Sequence, residues 1–447
     1  MQSPLSKFVA ELSGPVARGA IAGTLIRLTS IAMGFGLAVL SARLLGVDGY
    51  GTVAFLMSIA MVVGAISALG FPAVATREIP RMIVRDDGAS FRNLLAVSIP
   101  VVLIVSLILG AVVYWFAVRP FAEKSNLSGV AFAVFLMIPL AALHVLARGI
   151  ARGLGKIVTG QTPFDLIRPG LLLLVLVLGF LGFWSVDPAF YLLAAYGALG
   201  VSALFALFWT WSSVRGALVK AKDSGEREPW RTTLPSQSAL LLVWILLNEV
   251  NTLLLGWFST AEQTGLYQPV ARLTPILLLG AHVVGARLGP RISELWSQQE
   301  REKIQLISSK ASLSVFGFST CFSIVLVLAL PFILALFGRE FAASTVPIWV
   351  VLVGQLIVQS LGPVDNIITM TGSPWRYFRS VFLGLAVNVV VTLSLIPTLG
   401  ALGAAIGIAV GSVVAAVWSY GIVRRDLKFD SSIIGAARHI SGLRTNG

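Results

Sequence analysis

One cysteine, three histidines and twenty acidic residues stand among 447 positions, and each scarcity closes off a class of chemistry. The lone thiol, Cys321 inside an apolar run, builds neither a disulfide framework nor a thiolate metal cluster, and its setting predicts a small packed residue. His144 and His282 lack companion ligands at metal spacing and read as hydrogen-bonding groups between helices, while His439 falls in the tail. Charged residues make up only 12% of the chain, against roughly 25% in a soluble domain. Three motifs are absent: a Gly-rich phosphate loop ending in GK and Ser or Thr, HExxH, and GxSxG. Paired carboxylates or histidines suited to catalysis at helix ends are missing as well. No enzyme activity and no cofactor are therefore expected.

What is abundant is apolar sequence, 57% of residues, with a mean hydropathy of +0.89. Runs of about 20 apolar residues predict an all-α polytopic membrane protein with twelve spans. They lie near 20–43, 50–73, 94–118, 126–147, 166–184 and 188–211, then 237–258, 265–288, 311–337, 345–370, 377–397 and 400–423. No short apolar segment with a cleavage site precedes the first run, so it is expected to serve as an uncleaved signal.

The net charge of +13 is spread between these runs rather than gathered on one soluble face, which argues against nucleic acid as a partner and for topology. Of 33 Lys and Arg residues, 27 fall in one alternating set of connections together with both ends of the chain. The opposite set holds Arg43, Arg119, Lys124 and Arg339, and Arg27 and Arg272 fall inside spans. By the positive-inside rule both termini are cytoplasmic. The segments are then a cytoplasmic 1–19, a six-helix lobe 20–211, a charged linker 212–236, a second six-helix lobe 237–423 and a tail 424–447. Six is even, so the lobes are parallel repeats about an axis along the membrane normal. A resemblance between the connections at 44–51 and 256–267 also suggests duplication.

Intramembrane polar groups are costly and mark cavities, pathways or ion pairs. The segment from Ser236 to Gly289 carries Asn248, Glu249 and Asn251 in one span and Arg272 in the next. At about 1.5 Å of rise per residue, Glu249 sits roughly 18 Å and Arg272 roughly 20 Å above the cytoplasmic boundary of a ~30 Å core. The matching depths fit an ion pair, either a structural bridge or a cavity-lining pair used in transport. Arg27 lies about 10 Å into the first span, positioned to snorkel or to contact an anion. Gln355, Gln359, Gly362 and Asn366 form a stripe at helical spacing, with Asp365 beside it, that lines a cleft or bridges helices.

Three places resemble the polysaccharide and O-antigen flippases of the multidrug/oligosaccharidyl-lipid/polysaccharide exporter (MOP) superfamily. The first is the run from Ala42 to Gly51 (ARLLGVDGYG), followed by Leu69-Gly70-Phe71 and Arg77-Glu78-Ile79. The second is Thr264-Gly265-Leu266-Tyr267 with Ala271-Arg272-Leu273. The third is Thr371-Gly372-Ser373 with Asn388 and the run from Leu395 to Ala405 (LIPTLGALGAA). The resemblance implies a V-shaped bundle of two lobes in a bacterial-type inner membrane. It would move a lipid-linked oligosaccharide, often on a polyprenyl diphosphate carrier, to the outer leaflet. It also implies membrane lipids as partners, a polysaccharide polymerase and glycosyltransferases as associates, and cavity roles for basic residues such as Arg27 and Arg272. A cation-coupled exporter of small organic molecules is the alternative, although the acidic residue that such exporters tend to carry in the first span is missing. A membrane polymerase or glycosyltransferase would want an acidic outer loop, and the outer loops here are short.

Overall fold

The computed structural model describes residues 15–220, 230–371 and 374–438. The start of the expected N-terminal segment, the linker charges Lys222, Asp223, Glu226, Arg227 and Glu228, Gly372 and Ser373, and His439 and Arg444 lie outside the described residues, as do the side chains of His282 and Arg287. The helices are α1 (Pro15–Ser67), α2 (Phe71–Val84), α3 (Gly88–Val113), α4 (Arg119–Lys124), α5 (Ala131–Gly153), α6 (Ile157–Thr162), α7 (Arg168–Phe180) and α8 (Pro188–Lys220). They continue as α9 (Leu234–Phe258), α10 (Ala261–Leu277), α11 (Leu279–Ser297), α12 (Arg301–Phe337), α13 (Thr345–Ser360), α14 (Val364–Met370), α15 (Pro374–Leu399) and α16 (Ala401–Ile422). Among the described residues there is no β-strand, and ten helical stretches are long and apolar enough to cross a membrane. The protein is a multi-pass, all-helical membrane protein.

The ten stretches differ from the twelve expected runs at two places. The first two runs form one continuous element, α1, broken only where Gly46 takes φ 67° and ψ −176°, a region that glycine enters without steric cost. The run expected at 265–288 is divided between α10 and α11, which meet at Leu278. That stretch contains Pro269, Pro275 and Arg272, which interrupt the ladder and dilute the apolar signal. The connections expected at 74–93 and 289–310 are themselves largely helical. In α2 the apolar residues Phe71, Val74, Ala75, Ile79 and Met82 share one buried face, the spacing of an amphipathic helix.

The chain forms two compact units, residues 1–45 with 52–245, and residues 46–51 with 246–447. In the first, the buried face of α2 packs with Phe91, Leu94, Leu146, Ile150 and Trp230. Backbones approach closely because Gly149 and Gly153 of α5 face the backbone of Pro72 and Ala75, the small-residue packing that substitutes for a hydrophobic driving force inside lipid.

In the second unit, Gly384 of α15 and Gly411 of α16 meet carbonyl to glycine, and Gly354 of α13 accommodates Ala409. The segment 46–51 is stitched in here. Tyr50 lies 6.4 Å from the Phe341 ring, Gly51 abuts the backbone of Ala261 and Gly265, and Gly265 abuts Val47. The tail docks through Gln305, which donates to the Asp430 carbonyl (2.7 Å) and accepts from its N–H (2.9 Å), and through Ser312, which donates to the Ser431 carbonyl (2.6 Å).

Two expectations need correction. Cys321 is exposed on α12 rather than packed; an apolar thiol meets lipid without penalty, so periodicity alone could not assign its side. The stripe expected over 355–366 does not lie on one helix. Gly362 at φ 81° and Pro363 separate α13 from α14, since proline supplies no amide hydrogen and disfavours helix in the residue before it.

Candidate functional site

In the first unit a cluster of charge forms around Phe164. Residues 163–167 make a wide π-turn between α6 and α7, with Pro163 opening it and Pro169 following it. Such insertions recur at functional sites. The turn leaves the Pro163 carbonyl available to Ser202 of α8, which donates to it at 2.6 Å. The same turn aims Asp165 at α5, where its Oδ2 accepts from Arg148 Nη2 at 2.9 Å; the two side chains are only 22% and 14% exposed.

Arg148 and Arg168 flank the Phe164 ring at 5.4 and 5.2 Å from its centroid, within cation–π range. Arg152, one turn further along α5, and Arg27 on α1 lie within electrostatic reach of Arg148. Asp165 acts on Arg152 as well as on Arg148. The Nε of Arg148 is buried and has no hydrogen-bond partner. His144 is buried, edge-on to Phe164 at 5.1 Å, with Nδ1 3.5 Å from Ser202 Oγ of α8, the contact between helices that its isolation suggested.

In the second unit the polar residues of α9 separate by face. Asn248 is exposed, Glu249 half-buried and Asn251 buried. Asn251 Nδ2 donates to Tyr267 Oη of α10 at 3.1 Å. Thr392 Oγ1 of α15 lies 3.2 Å from Asn251 Oδ1 and 3.0 Å from Asn388 Oδ1, so one hydroxyl proton serves two acceptors. Asn251 therefore ties three helices together. Arg272 on α10 is exposed; Asn248, Glu249 and Arg272 all have partners, and Glu249 is within electrostatic reach of Tyr267. Gln355 and Gln359 are buried on α13, at 7% and 6% exposure, while Asp365 lies on the exposed side of α14.

Of the expected site residues, Arg27 is exposed on α1 and joins the first cluster, whereas the others all lie in the second unit. Arg148, Arg152 and Arg168 had been counted only as topological charges at span ends. The i, i+4 spacing of Arg148 and Arg152 was legible, but their approach to Asp165 depends on the π-turn. A separate cavity of about 210 Å³ in the first unit, lined by Leu95, Leu146, Trp211 and neighbouring apolar residues, offers nothing to a charged group.

A family model described as "Polysaccharide biosynthesis protein" matches residues 16–296, well over half of the chain. The chain belongs to the polysaccharide biosynthesis protein family. A relative from Haloferax volcanii named "Probable low-salt glycan biosynthesis flippase Agl15" is 26% identical over 188 residues, 41% of this chain and 39% of that protein. The chain matches less than half the length of the curated relatives it resembles. Among solved structures, an inward-facing multidrug resistance MATE family transporter of the MOP superfamily has a TM-score of 0.62 at 17% identity, covering 92% of this chain and 98% of that one. The lipid II flippase MurJ in an inward closed conformation has a TM-score of 0.66 at 13% identity, covering 94% and 90%. At these identities the likeness shows the fold alone.

Proposed function

We propose that this protein is a flippase that moves a lipid-linked oligosaccharide, carried on a polyprenyl diphosphate, across the cytoplasmic membrane for surface polysaccharide synthesis. Membership of the polysaccharide biosynthesis family carries the reading. It is supported by the flippase names of the relatives and by two exposed arginines, Arg27 inside the apolar α1 and Arg272 on α10. In this reading both termini are cytoplasmic and the chain crosses twelve times, with α1 crossing on each side of Gly46 and α10 with α11 making one further crossing. The lobes 20–211 and 237–423, joined by the linker 212–236, alternate in access to the two sides. A guanidinium draws the diphosphate, Glu249, Asn248, Gln355 and Gln359 offer polar groups to the glycan, and the lipid tail stays in the bilayer. No covalent chemistry is required of the protein, while a polymerase and glycosyltransferases act before and after it.

The experiment is deletion of the gene, with surface glycan and lipid-linked precursor both measured. Loss of the glycan with precursor accumulating on the cytoplasmic side is expected. Normal glycan together with lost drug resistance would favour the alternative, a cation-coupled exporter, for which the half-buried carboxylate of Glu249 is the candidate coupling group. Reporter fusions after Gly447 and within 119–125 test the orientation; an external signal from the first would overturn it.

A further inference from the structure

We propose that the arginine cluster around Phe164 is an anion site that takes the phosphate groups of a lipid headgroup. The assignment of that headgroup to a lipid-linked sugar rests on the flippase reading; the anion site itself does not.

The charge balance leads to this conclusion. Arg148 and Arg152 lie within electrostatic reach of Asp165 and of Arg27, so among these described residues three guanidiniums stand near one carboxylate, and the Arg148–Asp165 pair is recessed rather than spread in solvent. A surplus of cations next to apolar helices is unfavourable unless an anion completes it. The donors are arranged for one. Asp165 engages only Nη2 of Arg148, while the buried Nε–H has no partner. A guanidinium N–H left without a partner matches a phosphate oxygen. Phe164 holds Arg148 and Arg168 against its ring, so less side-chain freedom is lost when an anion binds. Arg152 and Arg27 are exposed and provide the approach. Topological arginines that only mark the cytoplasmic side need no shared aromatic ring, no recessed carboxylate and no buried free donor.

The test uses the full-length protein purified in detergent, with farnesyl diphosphate as the phosphate-bearing lipid probe and farnesol as its uncharged counterpart. Wild-type protein is expected to bind the diphosphate well above the alcohol, with affinity falling as salt rises. Arg27→Gln combined with Arg152→Gln is expected to weaken diphosphate binding at least tenfold and leave farnesol binding unchanged. Because Arg148→Gln alone strands Asp165, Arg148→Gln with Asp165→Asn is measured beside it, with thermal unfolding as the control for folding. It too is expected to lose the diphosphate selectively.

Competition by inorganic pyrophosphate but not by phosphatidylglycerol identifies the substrate diphosphate as the source. Competition by phosphatidylglycerol identifies a resident anionic lipid, and both results uphold the anion site. Wild-type affinity in both variants, equal loss of farnesol, or wild-type protein that does not distinguish the two probes would overturn it. Unchanged binding in the variants beside a glycan defect in the deletion strain would remove this site and leave the flippase reading standing. Normal glycan beside arginine-dependent binding would do the reverse.

Discussion

Replacing Gly51 by alanine tests whether the segment 46–51 is held against α10 by backbone contact. A Cβ at position 51 would lie 2.7 Å from the Gly265 amide nitrogen and closer still to the Ala261 carbonyl oxygen. Since carbon approaches such atoms to about 3.3 Å at best, the two helices must part by at least ~0.6 Å at the nitrogen and by more at the carbonyl. Neither neighbour is a side-chain tip that can swing away. Overpacking of this kind costs about 1–3 kcal/mol, and a gap of ~0.5–1 Å forfeits roughly a quarter to a half of the dispersion energy of each opened contact.

Against this, alanine gains about 1 kcal/mol of helix propensity over glycine. Gly34 isolates that gain, because a Cβ there meets nothing within 4 Å. Gly34→Ala should be neutral or stabilising by up to ~1 kcal/mol, and Gly51→Ala, which shares that gain, should be less stable than Gly34→Ala by about 1–3 kcal/mol. Thermal or denaturant unfolding of both variants in the same detergent, with membrane abundance as a second readout, makes the comparison. Equal stability of the two variants would refute the close approach of this segment to Ala261 and Gly265.

Three further outcomes are expected. Thr392→Val should cost about 0.6–1.7 kcal/mol in the same unfolding assay, the range for an interhelical hydrogen bond in a membrane, because this hydroxyl joins α15 to Asn251 of α9 while its contact with Asn388 stays within α15; wild-type stability would show that the bond contributes nothing. For Glu249 and Arg272, a purely structural pair should tolerate Glu249→Gln with Arg272→Met, whereas a transport role predicts a folded protein with at least a tenfold drop in flipping, and Arg272→Lys should keep only part of the activity because the forked geometry is lost. Full surface glycan in the double variant, normalised to membrane abundance, would make the pair structural. At Asp430, burial pushes the carboxyl pKa up, but hydrogen bonds from Ser432 and Tyr420 and the charge of Arg424 outweigh it and leave the group below its ordinary value. Its contribution is therefore complete above the ordinary carboxylate range and lost as pH falls through the depressed value. Protection from hydrogen exchange at residues 432–438, taken relative to the intrinsic rate at each pH, should be high at pH 7, fall below about pH 4, and be low at pH 7 in Asp430→Asn; pH-independent protection would refute the anchor.

The membrane character of this chain was legible residue by residue, because burying about 20 apolar residues in hydrocarbon is a local, additive property that needs no partner. Family motifs were legible for a similar reason: ARLLGVDGYG and LIPTLGALGAA are contiguous, and Gly51 and Gly403 within them stand against neighbouring backbone. Side assignment was not. Asn248, Glu249 and Asn251 are neighbours in sequence, yet tertiary packing leaves the first exposed and draws the last into hydrogen bonds with Tyr267 and Thr392. The same holds for Cys321, which lipid accepts on a surface where water would not. The helix break at Gly362–Pro363 is legible in the residue types, although the apolar run around it has the length of one span. The arginine cluster lay furthest from view. Its members occupy three separated stretches of chain, and only the fold, through the π-turn that turns Asp165 and Phe164 toward α5, gathers charges that look like topology markers around one recessed ion pair.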